Sequence, residues 1–169
     1  HRIAVGVYDD DPETGKLVRT HRVELDISGE RTAVPELVGL SRGKLVLVND
    51  DDLTYCALRL DPGSLATLVD RIGDIAESLP RTLCWSSAWE MTREAELKAR
   101  DFVTLVAGGF DTESEIGVAA RLLLQAQTAT ASYCTPEWAQ GRGWPLLTDA
   151  LRFRLDTAPP GSDVQLAVV

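Results

Sequence analysis

The stretch L-R-L-D-P-G-S-L-A-T-L-V, residues 58–69, decides the fold. Apolar residues recur with a period of two before it and of 3.6 after it, the repeats of a half-buried strand and of an amphipathic helix. Asp61-Pro62-Gly63 punctuates the change. On the helical side Ser64 is placed to cap a helix that carries Leu65, Leu68, Val69, Ile72, Ile75, Ala76 and Leu79 on one stripe, with Pro80 as a stop.

Working back from this point, the spacing predicts strands over 2–8, 16–27, 31–34, 44–48 and 54–60. Ile3, Val5 and Val7 share one face of the first. In the second, Val23, Leu25 and Ile27 alternate with Arg22, Glu24 and Asp26, the pattern of an antiparallel sheet with one wet face. The 44–48 run is almost wholly apolar and reads as buried on both faces. Asp9-Asp10-Asp11 and Asp50-Asp51-Asp52 read as exposed, solvated turns, since neither has the spaced pattern of a calcium loop. Several short strands at close spacing suggest a small β-sandwich.

Working forward, helices are expected over 81–91 and 98–107 and from a Thr112/Glu115 capping box to about 131. A fifth helical segment starts at Pro136 in its first turn, interrupted by Gly141, Gly143 and Pro145 before 146–155 resumes. The tail ends in an apolar run over 164–169. The fold class is therefore α+β by segregation: a small antiparallel β-sandwich, residues 1–61, followed by an α-helical, HEAT-like array, residues 62–169.

Composition narrows the function. The 169 residues carry 17 Lys+Arg against 26 Asp+Glu, a net charge of -9. That balance, with no basic cluster, argues against a nucleic-acid partner. No apolar run approaches the roughly 20 residues of a membrane span. Cys56, Cys84 and Cys134 match no zinc or redox spacing and read as buried, reduced thiols of a cytoplasmic protein. His1 and His21 are the two histidines. Neither has a ligand at metal-binding spacing, and no His-Glu-x-x-His, Gly-x-Ser-x-Gly or phosphate-loop motif is present.

W-S-S-A-W-E-M-T-R-E-A-E at 85–96 is the most unusual run. Trp85 and Trp89 fall on one helical face. Packing between helices is the simpler reading. The functional one makes Trp85, Trp89, Glu90 and Arg93 candidates for a cavity wall or an interdomain contact, where aromatic and Arg side chains are enriched.

Several stretches together resemble the M1 family of zinc aminopeptidases, in its actinobacterial aminopeptidase N type. They are H-R-I-A-V-G-V-Y at 1–8, L-V-R-T-H-R-V-E-L-D at 17–26, L-V-L-V-N-D-D-D-L-T-Y at 45–55 and L-C-W-S-S-A-W-E-M-T-R at 83–93. A-R-D-F-V at 99–103 and L-L-L-Q-A-Q at 122–127 continue them. The resemblance covers about 1–135. It implies that a thermolysin-like catalytic domain with the zinc site lies earlier in the parent chain. On that reading 1–61 is the sandwich that follows it, and 62–169 is the N-terminal, truncated part of the helical domain that closes over the active site.

No catalytic residue and no zinc ligand of the family has a counterpart here. The expected role is a non-catalytic C-terminal region with no cofactor of its own, zinc belonging to the parent. Its partner is the parent's catalytic domain, and peptide substrates are reached only through the full enzyme. The first residue is His1 and the sole methionine is Met91, which suggests a piece of a longer protein. Exposed apolar surface on the helical half would then favour a homodimer or marginal stability. The alternative is a stand-alone β-sandwich and helical module that binds a protein partner.

Overall fold

The computed structural model describes residues 1–162 and Gln165. The chain divides into two compact units, His1–Glu90 and Met91–Val169. A sheet comes first and helices follow, an α+β arrangement by segregation.

In the first unit β1 (Arg2–Asp10), β2 (Leu17–Asp26) and β3 (Leu45–Asp50) form one antiparallel sheet in the order β2-β1-β3. Ile3 faces Leu25 and Val5 faces Val23, while Arg2 faces Asp26 and Ala4 faces Glu24. The expected apolar and charged faces of the hairpin are thus in register. As the central strand, β1 is buried from Ile3 through Tyr8. Each such Val or Ile contributes about 1.5–3 kcal/mol relative to an exposed side chain. β3 is not buried on both faces: Leu45 and Leu47 are inside, but Val48 is 39% exposed.

The expected strands at 31–34 and 54–60 do not form. At Thr54 and along the edge of β3 the hydrogen bonds go elsewhere. The side-chain amide of Asn49 pairs with the backbone of Thr54 as a strand neighbour would. Its Oδ1 accepts from Thr54 N at 3.1 Å and its Nδ2 donates to Thr54 O at 2.6 Å. Asn49, Asp51 and Asp52 turn through positive φ (56°, 70° and 53°), a region that Asn and Asp tolerate best among side-chain-bearing residues. The edge of β3 is closed by hydroxyls of the next helix. Val46 N donates to Ser64 Oγ at 2.9 Å, and Thr67 Oγ1 donates to Lys44 O at 2.7 Å. A helix laid over a sheet edge satisfies groups that another strand would otherwise take.

That helix, α1 (Pro62–Arg71), begins one turn earlier than Ser64. Asp61 is the cap, accepting from Gly63 N and Ser64 N, with Pro62 in the first turn. The apolar stripe does not run on as one helix to Leu79. After a short turn at Ile72–Asp74 the chain extends at Ile75, which bridges Leu17, and Ala76 N donates to Leu17 O. Arg71 holds the hairpin end there through Asp10 at 2.6 Å and Gly15 O at 2.7 Å. Helix α2 (Ser78–Arg93) takes Pro80 into its first turn, where no N–H is needed.

In the second unit α3 (Ala99–Gly109) buries Phe102, Val103, Leu105 and Val106, and α4 (Ile116–Thr128) buries Ala119, Leu122 and Ala126. Ala95, before α3, stands at φ 61° while Glu96 N and Leu97 N both reach back to Met91 O. The cap of α4 is the Glu115 backbone without a side-chain bond, so Thr112 and Glu115 form no capping box; Thr112 donates to Gly109 O instead.

The chain then passes through a π-helical turn (Ala129–Tyr133), α5 (Pro136–Trp138) and a second π-helical turn (Ala139–Gly143) into α6 (Trp144–Thr157). Gly141, Gly143 and Pro145 therefore do not interrupt the helical path: the wider turn at Ala139–Gly143 takes in both glycines, and Pro145 falls in the first turn of α6, where no N–H is needed. The apolar end over 164–169, apart from Gln165, lies outside the described residues.

Candidate functional site

Helix α2 carries all four residues singled out in the sequence. Trp85 is 2% exposed and part of the core of the first unit. Trp89 and Glu90 are half-buried, and Glu90 ends that unit, while Arg93 is exposed and belongs to the second. None of the four stands without a partner. The helix is anchored where they sit: Arg81 Nη1 donates to Ile75 O at 2.8 Å, and Ser87 Oγ donates to Leu58 O at 3.2 Å.

A second constellation was not legible as such in the sequence. Asp50, expected in a solvated turn, is 0% exposed. Its carboxylate accepts from the Tyr8 hydroxyl at 2.9 and 3.0 Å and from Arg19 at 2.9 Å. Arg19 also reaches Asp51 at 2.7 Å, and Arg22 reaches Asp51 at 2.6 Å and Glu24 at 2.9 Å. Arg2 bonds Glu24 and, at 3.3 Å, Asp26.

The row starts on a buried acid and ends in solvent, joining all three strands. Gly6 makes it possible, because a Cβ there would overlap Asp50 Oδ2 and lie 2.8 Å from its Cγ. Burial, then the Asp50 charge, pushes the Tyr8 hydroxyl pKa well up, so Tyr8 stays a donor. The hydrogen bonds that Arg19 donates to Asp50 and Asp51 raise its own pKa further. This is a positioned, fully paired network. It offers no free base or nucleophile.

One acid of this row, Asp51, and a separate one, Asp74, predict an acid response. The Asp51 carboxyl is held below its usual range by hydrogen bonds from Arg19 and Arg22, and the Asp74 carboxyl by Lys16 and Arg71. A folded-state pKa below the unfolded one contributes stability above the unfolded value, about pH 4, and loses it as pH falls through the folded value. The urea midpoint is expected to be flat between about pH 5 and 7 and to drop below about pH 4, less steeply in Asp51→Asn.

The thiols differ from expectation. Cys84 is buried, and burial pushes its pKa well up, but Cys134 is half-buried and Cys56 is exposed, because the 54–60 segment is not in the sheet. Among the described residues no three His, Cys, Asp or Glu side chains converge to hold a metal ion. Zinc, which the family resemblance implies for the parent, does not fit the donors described here. No helix among the described residues is long and apolar enough to cross a membrane.

Comparison with known proteins places this architecture. Residues 45–168 match the family model of the ERAP1-like C-terminal domain. Aminopeptidase N from Streptomyces lividans is 51% identical over 169 residues, which cover 99% of this chain and 19% of that protein. The chain thus spans about a fifth of the length of this relative. With the match running from β3 through the whole helical region, the chain belongs to the family of ERAP1-like C-terminal domains.

Proposed function

We propose that this chain is the non-catalytic C-terminal region of a zinc metalloaminopeptidase that removes N-terminal residues from peptides, and that it supports and covers the catalytic domain. The observation that carries this reading is the 51% identity, over nearly all of the chain, to a 19% portion of Streptomyces lividans aminopeptidase N. The zinc and the hydrolytic water belong to the parent's catalytic domain. The three-stranded sheet is the part of a sandwich contributed by 1–61, and 62–169 opens a HEAT-like array.

On α2, Trp85 packs the helix. Trp89, Glu90 and Arg93 are the residues assigned to the catalytic-domain contact or to the cavity wall. Leu124 and Phe153, 64% and 56% exposed, provide apolar surface for the rest of the parent or, in the isolated chain, for a second copy. The parent acts in the cytoplasm.

The isolated chain is expected to cleave no aminoacyl reporter substrate and to bind no stoichiometric zinc, whereas the parent does both. Deleting this region from the parent is expected to lower kcat/KM by about tenfold or more, as loss of residues that position a catalytic domain does. Reporter hydrolysis by the chain alone, with zinc bound one to one, would overturn the non-catalytic assignment.

A further inference from the structure

The second unit contains a cavity of about 390 Å³, within the size range of small-molecule sites. It opens between the residues that start α3 and the turn that leads into α5. Lys98 and Arg100 line one side, and Tyr133, Cys134, Thr135 and Trp138 the other. In a chain of net charge -9, no Asp or Glu among the described residues lines it. Both cations are exposed, so neither is committed to the core. Arg100 has a half-buried acidic neighbour, Asp101, at 3.8 Å, too long for a hydrogen bond and open to solvent screening.

The aromatic wall is held in place. Trp138 lies against Gly143, where a Cβ would stand 2.7 Å from its ring and 2.8 Å from Thr130 Cγ2. Thr135 caps the turn by accepting from Trp138 N at 3.4 Å. The Cys134 thiol senses the place: burial raises its pKa and Arg100 opposes the rise.

We propose that this cavity binds a small organic anion, a carboxylate on a flat apolar body, with Lys98 and Arg100 meeting the carboxylate and Tyr133 and Trp138 holding the ring. Charge-assisted hydrogen bonds from two cations supply the orientation, and aromatic faces supply the apolar contact. The site lies within the second unit and stands whether or not the parent is an aminopeptidase.

The probe is 2-naphthoate, titrated into the 169-residue chain by calorimetry, with alkylation of Cys134 followed by mass spectrometry in a Cys56→Ser background. Saturating probe is expected to slow Cys134 alkylation about fivefold or more, because the thiol lines the occupied cavity. The neutral isostere 2-naphthalenemethanol is expected to bind about tenfold more weakly, and the Lys98→Met/Arg100→Met double variant to lose about tenfold in affinity for 2-naphthoate. Acetate, which lacks the ring, is expected to protect Cys134 poorly at the same concentration. Lys98 and Arg100 are exposed, and circular dichroism checks that the double variant keeps its fold. Absence of binding at millimolar probe, equal affinity for the neutral isostere, or undiminished affinity in the folded double variant would each overturn the proposal.

Discussion

Asp50→Ala is expected to destabilise the first unit by about 3–5 kcal/mol, the cost of removing one partner from a buried, hydrogen-bonded charge set. The loss falls on two groups at once. The Tyr8 hydroxyl is buried and would have no carboxylate to donate to, and Arg19 would keep Asp51 as its acid. Asp50→Asn separates the contributions. The amide oxygen still accepts from Tyr8, but the charge opposite Arg19 is gone, so about half of the destabilisation is expected. Hydrogen exchange at β1 amides reads this unit directly, since local opening there is tied to the sheet and not to the second unit. Wild-type protection of β1 in Asp50→Ala would refute a structural role for the network.

Gly6→Ala is expected to cost about 3 kcal/mol, the upper end of the overpacking range. The added methyl group would overlap the Asp50 carboxylate and crowd Tyr8, whose Cε2 lies 2.9 Å from the methyl position. Gly6 is in the middle of the central strand, so backbone movement would disturb the ladders to β2 and β3 together. The decisive measurement is a double-mutant cycle. In an Asp50→Ala background the clashing carboxylate is absent and only the Tyr8 contact remains, so Gly6→Ala is expected to cost clearly less, about 1–2 kcal/mol. Additive costs would mean that the steric conflict lies elsewhere.

Much of the fold was open to sequence reading, for physical reasons. The alternation of Val23, Leu25 and Ile27 with Arg22, Glu24 and Asp26 admits one register that keeps charge out of the interior, and β2 adopts it. Pro136 after Thr135 announces a helix start, and Thr135 caps it. What escaped was backbone pairing by side chains. Asn49 imitates a strand for Thr54, and Ser64 and Thr67 close the edge of β3. A hydrophobic pattern records which residues are buried, not which polar atoms replace a missing ladder.

The cap of α1 falls at Asp61, three residues before Ser64, for a related reason. Asp61 and Ser64 both suit the position, and the Ser64 hydroxyl is engaged at β3.

The candidate site was legible in the same partial way. The Trp85/Trp89 spacing is local, so α2 and its buried face could be read, and Trp85 is in the core. Tyr8, Arg19 and Asp50 come from three strands, and Lys98 and Trp138 from segments 40 residues apart. No local periodicity ties such residues together. The nearest signal for the acidic turn was Gly6, a glycine in the middle of an otherwise apolar strand, where close approach of another group is a standing explanation.

The Asn49 clamp also bears on chemical ageing. Hydrolysis of that side-chain amide to a carboxylate would keep the acceptor for Thr54 N and abolish the donor to Thr54 O. It would also set a fourth negative charge beside Asp50, Asp51 and Asp52. The turn after β3 is therefore a place where one slow covalent change, invisible to a size measurement, would release a segment that starts with the exposed Leu53 and Tyr55. At 1% exposure the Asn49 side chain is shielded from the water that such a change consumes.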